Sequence, residues 1–139
     1  MTARAVLDAS AAVRLVLNGE HAAQLAAKLE DVAVVTTPEL FCSEVANALW
    51  KYVRAGKLDL DPATTLLEKA LSLVDDLVPE RTLAAEALVA AARHQHRVYD
   101  MMYAVLARRS GATVITTDRG FALRLREMEI ESYCPLLEP

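Results

Sequence analysis

Four carboxylates in this chain stand where an acid calls for an explanation. Asp8 closes the apolar run ARAVLD at residues 3–8, and Asp118 closes TVITTD at residues 113–118. Asp100 opens the helical stretch YDMMYAVLARRSG. Each has a plain structural use: Asp8 and Asp118 can cap the helices that follow them, and Asp100 can be a favourable charge at a helix start. Glu44 is harder to place that way. On a helical wheel it borders an apolar flank of Phe41, Val45, Ala48, Leu49 and Tyr52, with Asn47 and Lys51 beside it. Its neighbours three and four positions away are Leu40, Phe41, Asn47 and Ala48, so no helical ion pair is available. A half-buried glutamate without a cation is expensive.

If the four acids meet, they repel. At about 6 Å and an effective dielectric of about 20, each pair costs about 3 kcal/mol. Either their pKa values rise or a cation enters. Oxygen donors without clustered His or Cys point to Mg²⁺ or Mn²⁺ rather than zinc. Ions held that way, with open positions, serve phosphate-ester substrates. His94 and His96 flank Gln95; an arginine-rich helix end is the preferred meaning of that segment, ahead of metal ligation.

The elements that must bring the acids together alternate. Residues 3–8 read as a buried strand, and SAAVRLVL and EHAAQLAAKLE as short helices broken at Asn18-Gly19. VAVVT is the next strand. Thr37 as N-cap and Pro38 as first helical residue open a long helix that ends at Gly56. A helix from Asp61-Pro62 to about Asp76 follows, then a short strand LVP and a helix over 82–95. The helix containing Asp100 closes at Gly111, and a strand over 113–117, a helix FALRLREME and an extended terminal segment complete the order. Alternation of this kind predicts an α/β fold, a mostly parallel central sheet with helices on both faces. In such sheets the working crevice lies beyond the strand carboxyl ends. Asp8, Asp118 and the helix start at Asp100 all fall on that rim, whereas Glu44 is expected about two turns into its helix.

Composition narrows the class. The 139 residues are 54% hydrophobic and 24% charged, which predicts one globular domain over residues 1–139. No apolar run reaches the length of a membrane span. Asp8 and Arg14 interrupt any secretory leader, and Cys42 and Cys134 make no disulfide framework, so a reduced, cytoplasmic protein is expected. A net charge of −4 argues against bulk electrostatic binding of nucleic acid. Between Arg93 and Arg126, however, seven arginines face only Asp100 and Asp118.

With VLDAS at the start, ELFCSEVANALW in the middle and VYDMMYAVLARRSGATVITTD near the end, the chain resembles the PIN-domain ribonucleases, specifically toxins of the VapC type. The resemblance spans nearly the whole chain. It implies that Asp8, Glu44, Asp100 and Asp118 form a catalytic metal site for Mg²⁺ (or Mn²⁺), with Ser10, Asn47 and Thr117 in support. It further implies hydrolysis of RNA phosphodiesters by metal-activated water, a cognate VapB-type antitoxin and a homodimer. Arg93, Arg97 and Arg119 are the candidates for contact with the RNA backbone. Leu66, Leu67, Ala70, Leu71 and Val74, with Leu40, Trp50 and Val53, are more than a small domain has room to bury, so some of them are expected to form a groove for the subunit or antitoxin, the alternative being that all pack in one core.

Readings from other classes remain at this point. A phosphatase with an aspartyl nucleophile suits Asp8 at a strand end, but the second acid that chemistry usually has two residues on is here Ser10. A phosphorylation-switch receiver lacks its acidic pair and strand-end lysine. A PIN-like module that binds without catalysis is the third.

Overall fold

The computed structural model describes residues 2–137. Five strands form one sheet, β1 (Thr2–Leu7), β2 (Val32–Pro38), β3 (Asp76–Val78), β4 (Thr113–Ile115) and β5 (Ser132–Tyr133). Their spatial order is β3-β2-β1-β4-β5, and every neighbouring pair is parallel. The helices are α1 (Ala9–Val16), α2 (Ala22–Glu30), α3 (Leu40–Arg54), α4 (Leu60–Leu71), α5 (Ala84–His94), α6 (Val98–Ser110) and α7 (Arg119–Glu127).

Side-chain alternation along β1 divides the interior into two layers. Ala5 and Leu7 pack with α1, Leu25 of α2, Phe41, Val45 and Leu49 of α3, and Ala70 of α4. Val6 points the other way, into a core with α5, α6 and Phe121 and Leu125 of α7. Helices therefore cover both faces, as the alternating pattern required. Winding proceeds from β1 toward β2 and β3 on one side and toward β4 and β5 on the other. The reversal falls between β1 and β4, and a crevice opens at the carboxyl ends of those two strands.

Several boundaries differ from the sequence reading. Thr37 and Pro38 do not open α3. They extend β2, where Pro38 pairs with Val78 of β3 and the Thr37 hydroxyl donates to the Leu7 carbonyl at 2.8 Å. The helix starts at Leu40, so Glu44 lies little more than one turn from the rim. The fourth helix stops at Leu71, because the chain must turn to set Asp75 against β2, where its carboxylate accepts from the Val35 amide at 2.8 Å. A 3-10 turn over Glu80–Thr82 precedes α5. β4 ends at Ile115, two residues short of expectation, which frees Thr116 and Thr117 for the crevice. The break after α1 is as expected, with positive φ at Asn18 and His21, and Gly111 closes α6 at φ 62. The extended terminal segment is β5; residues 138–139 lie outside the described residues.

Candidate active site

Asp8, Glu44, Asp100 and Asp118 line one cleft of about 690 Å³ at the switch between β1 and β4. Ser10, Asn47 and Thr117 line it too, and of the three arginine candidates Arg97 does. Arg93 and Arg119 are exposed and stand outside it.

Each acid is held by a different device. Asp8 occupies the N-cap position of α1 but makes no side-chain cap. Its Oδ2 instead accepts from the Ser10 hydroxyl at 2.8 Å and the Thr116 hydroxyl at 2.6 Å. Burial pushes the Asp8 carboxyl up to about 6; those two hydrogen bonds oppose the rise, and the charges of Asp100 and Glu44 add to it. Asp118 does cap, its Oδ1 accepting from the Phe121 amide at 3.0 Å, and its own amide donates to the Thr116 hydroxyl at 3.0 Å. Capping and lining the cleft are thus compatible roles for one side chain.

Glu44 finds its partner on the opposite layer. The Tyr103 hydroxyl donates to Glu44 Oε1 at 2.7 Å. Burial raises the Glu44 carboxyl above its ordinary range, the Tyr103 bond resists, and the charge of Asp100 raises it further. Tyr103 is fully buried, and burial beside Asp8 and Glu44 lifts its phenol far above the usual value, so it remains a donor. Asp100, in the first turn of α6, is buried. Its Oδ2 receives the His96 imidazole at 2.6 Å and the Arg97 guanidinium at 3.1 Å. His96 in turn packs against Phe121, ring centroids 5.9 Å apart.

Sequence reasoning missed Thr116, Tyr103 and His96. The hydroxyl beside the last acid was assigned to Thr117, whose amide donates to Ser10 Oγ at 3.0 Å; Thr116 is the residue that bridges Asp8 and Asp118. Tyr103 stands three residues after Asp100 on the same side of α6, a spacing that could have flagged it, whereas His96 lies ahead of the helix, where no periodicity applies. His96 is neither a bystander of an arginine-rich end nor a free ligand: it grips an acid.

The four acids suit a hard divalent cation in kind, since they offer oxygen donors and two of them are raised in part by their acidic neighbours. Among the described residues no group of three or more His, Cys, Asp or Glu side chains is arranged to hold an ion as it stands.

A doubly wound parallel sheet with an acid-lined crevice at its switch point is the class these features define. The PIN domain family matches residues 5–124, and the chain belongs to that family. It is 33% identical over 119 residues to Ribonuclease VapC3 of Pyrobaculum aerophilum, covering 84% of this chain and 91% of that protein. It is 38% identical over 76 residues to Exonuclease VapC9 of the same organism, covering 55% and 56%. The crystal structure of PAE2754 from Pyrobaculum aerophilum superposes with a TM-score of 0.71 at 29% identity, over 88% of this chain and 79% of that one. FitAcB from Neisseria gonorrhoeae shares the fold, with a TM-score of 0.65 at 18% identity over 96% and 99%. Among the described residues no helix is long and apolar enough to cross a membrane.

Proposed function

We propose that residues 1–139 form one PIN nuclease domain, an RNA-cleaving endonuclease that acts as the toxin of a toxin–antitoxin pair. Asp8, Glu44, Asp100 and Asp118 are the catalytic, metal-holding acids, and the ion is Mg²⁺ or Mn²⁺. The observation that carries the reading is their convergence: acids at positions 8, 44, 100 and 118 line a single cleft. A relative along most of the chain bears the name ribonuclease, which supports RNA as substrate.

A bound divalent ion would supply activation of water and neutralise charge on the departing oxygen. The protein's own part is positioning. Ser10 and Thr116 fix one oxygen of Asp8 and leave the other to the cleft. Tyr103 holds Glu44 by one oxygen, the Phe121 amide does the same for Asp118, and His96 with Arg97 steadies Asp100. Each of the four carboxylates keeps an oxygen outside these bonds, and Arg97 stands at the cleft to meet a phosphate.

An apolar groove between α3 and α4, lined by Trp50, Val53, Leu60 and Leu67, supports a subunit or antitoxin helix there. Trp50 and Leu60 are exposed. Leu40, expected in that groove, is buried in the α5–α6 layer instead, and Leu66, Ala70, Leu71 and Val74 pack inward. We assign a homodimer and a VapB-type antitoxin on this basis.

Purified protein incubated with RNA and Mg²⁺ should cut it, excess EDTA should stop cutting, and a circular RNA should be opened if the action is endonucleolytic. Asp8→Asn and Asp100→Asn should each lower the rate at least about 100-fold. Undiminished cutting by either folded variant would sink the assignment of those acids.

A further inference from the structure

The cleft does not end at its acids. It continues as a trough between α1 and α3, and each wall is one helical face. Ser10, Val13, Arg14 and Leu17 line it from the α1 side, and Asn47, Ala48, Lys51 and Tyr52 from α3. Steps of three and four residues keep each set on one side of its helix. Both walls change sign along their length. Asp8 and Glu44 mark the acidic end, whereas Arg14 and Lys51 occupy the last turns of their helices. At 1.5 Å of rise per residue, the cations lie about 10 Å along the trough from the acids.

Among the described residues neither Arg14 nor Lys51 has an ion-pair partner, while Arg97 at the acidic end is bound to Asp100. Placement in a last turn satisfies the helix dipole whichever way a cation faces. It does not explain why both cations face the same trough. Arg14 is half-buried and lines the trough. Beside Lys51, Tyr52 is 40% exposed and offers a ring to the trough. Glu20, just beyond α1, also lines the trough.

We propose that this trough is a subsite for one or two nucleotides of single-stranded RNA flanking the bond to be cut. Arg14 and Lys51 clasp a phosphate from opposite walls, and Tyr52 stacks on an unpaired base. The inference rests on the ribonuclease reading above and adds the path of the strand to it. An exposed tyrosine face requires an unstacked base, which a duplex does not offer. The change of sign sets the path of the strand, because a phosphate settles at the cationic end while the bond to be cut lies at the acids.

Two measurements on the full chain separate this subsite from the nuclease assignment. In the first, fluorescence anisotropy reads binding of a labelled single-stranded hexaribonucleotide in EDTA, with the matching duplex as a second arm. Arg14→Ala/Lys51→Ala should weaken single-strand binding roughly tenfold and reduce the log–log salt slope by roughly 0.7 for each phosphate left without its cation. Tyr52→Ala should weaken it roughly tenfold, and Tyr52→Phe should bind as wild type does. In the second, cleavage with Mg²⁺ should show the double variant raising KM by a similar factor with kcat within about threefold. Thermal melts confirm that each variant is folded. Wild type that cuts RNA while folded trough variants bind and cut normally overturns the subsite and leaves the nuclease. Binding abolished in the variants of a wild type that never cuts overturns the nuclease and leaves the subsite. Loss of binding on Arg93→Ala or Arg119→Ala, with the trough variants unaffected, also overturns the proposal by placing the strand elsewhere. Wild type that neither binds nor cuts overturns both.

Discussion

The β1–α1 and β4–α7 junctions read alike in sequence, an apolar run ending on an aspartate that precedes a helix, and the structure uses them differently. At the second, Asp118 caps its helix through the Phe121 amide and remains half-buried. At the first, Asp8 caps nothing, is buried, and has two hydroxyls as its only hydrogen-bond donors among the described residues. The difference follows from place in the sheet. β1 is the central strand, with β2 and β4 on either side, so its end is enclosed by protein. Asp8 takes no amide from the start of α1, so only hydroxyl donors offset its desolvation, whereas the start of α7 supplies an amide to Asp118. One acid is therefore a reserve of unfavourable energy and the other a support. Thr116 ties the two together, donating to Asp8 and accepting from the Asp118 amide.

The largest test of that contrast is a pH titration of stability in EDTA. The Asp8 carboxyl titrates near 6 in the folded chain against an ordinary 3.8, so the folded state binds its proton more readily. Stability from this group is complete below pH 3.8 and is lost as pH rises to about 6. The total is about 3 kcal/mol, at 1.36 kcal/mol per pKa unit. Asp8→Asn keeps an acceptor for both hydroxyls and cannot ionise. Urea melts should show it more stable than wild type at pH 7.5 by up to about 3 kcal/mol, with the gain gone near pH 3.5. An equal gain from Asp118→Asn would erase the distinction between the junctions.

Removing the link comes next. Thr116→Val retains shape but leaves the Asp118 amide without a partner and Asp8 with Ser10 as its one hydroxyl donor, and should destabilise by roughly 1–3 kcal/mol at neutral pH. In the Asp8→Asn background the loss should shrink, a coupling that a double-mutant cycle reads directly. A smaller effect is expected at the cap. Asp118→Ala should lose about 1 kcal/mol, while Asp118→Asn, which also caps, should stay within a few tenths in EDTA and lose the added stability that Mg²⁺ confers. Smallest of all is Gly120→Ala. A Cβ there meets Asp118 Oδ1 at 3.5 Å, an ordinary contact, so the change should stabilise α7 by roughly 0.5 kcal/mol without disturbing the cap. A loss in chemical melts would show that the β4–α7 junction is tighter than its hydrogen bonds indicate.

The order of elements, the parallel sheet and the placing of Asp8, Asp100 and Asp118 on one rim were legible because each leaves a local mark: apolar runs, punctuating turns, carboxylates at strand ends and a helix start. What was not legible is the company the acids keep. Tyr103 reaches Glu44 across 59 residues and Thr116 reaches Asp8 across 108, separations at which no periodicity speaks. Thr37-Pro38 carried a strong helix-start signal, and it lost to a neighbour: pairing of Pro38 with Val78 and the bond from Thr37 to Leu7 hold that dipeptide in the sheet. The same shift moved Glu44 to the rim, correcting the weakest part of the sequence geometry. His96 was passed over because its segment is rich in arginine and because it lies in the α5–α6 connection, where spacing from Asp100 sets no common side.

Helix α6 carries both Asp100 and Tyr103, and every residue from Asp100 to Ala107 is buried. A helix wrapped on all sides has no local opening that spares the rest of the fold. Its amides should exchange with solvent deuterium only when the whole chain unfolds, and so should rank among the slowest in the protein, while those of the more exposed α2 exchange sooner. Tyr103, in the middle of that buried stretch, is then held in place by the global stability of the protein, while Asp100 also draws on His96 and Arg97 of the short α5–α6 connection. Substitutions far from the cleft that loosen the fold will therefore disturb Asp100 and Tyr103 as surely as substitutions beside them.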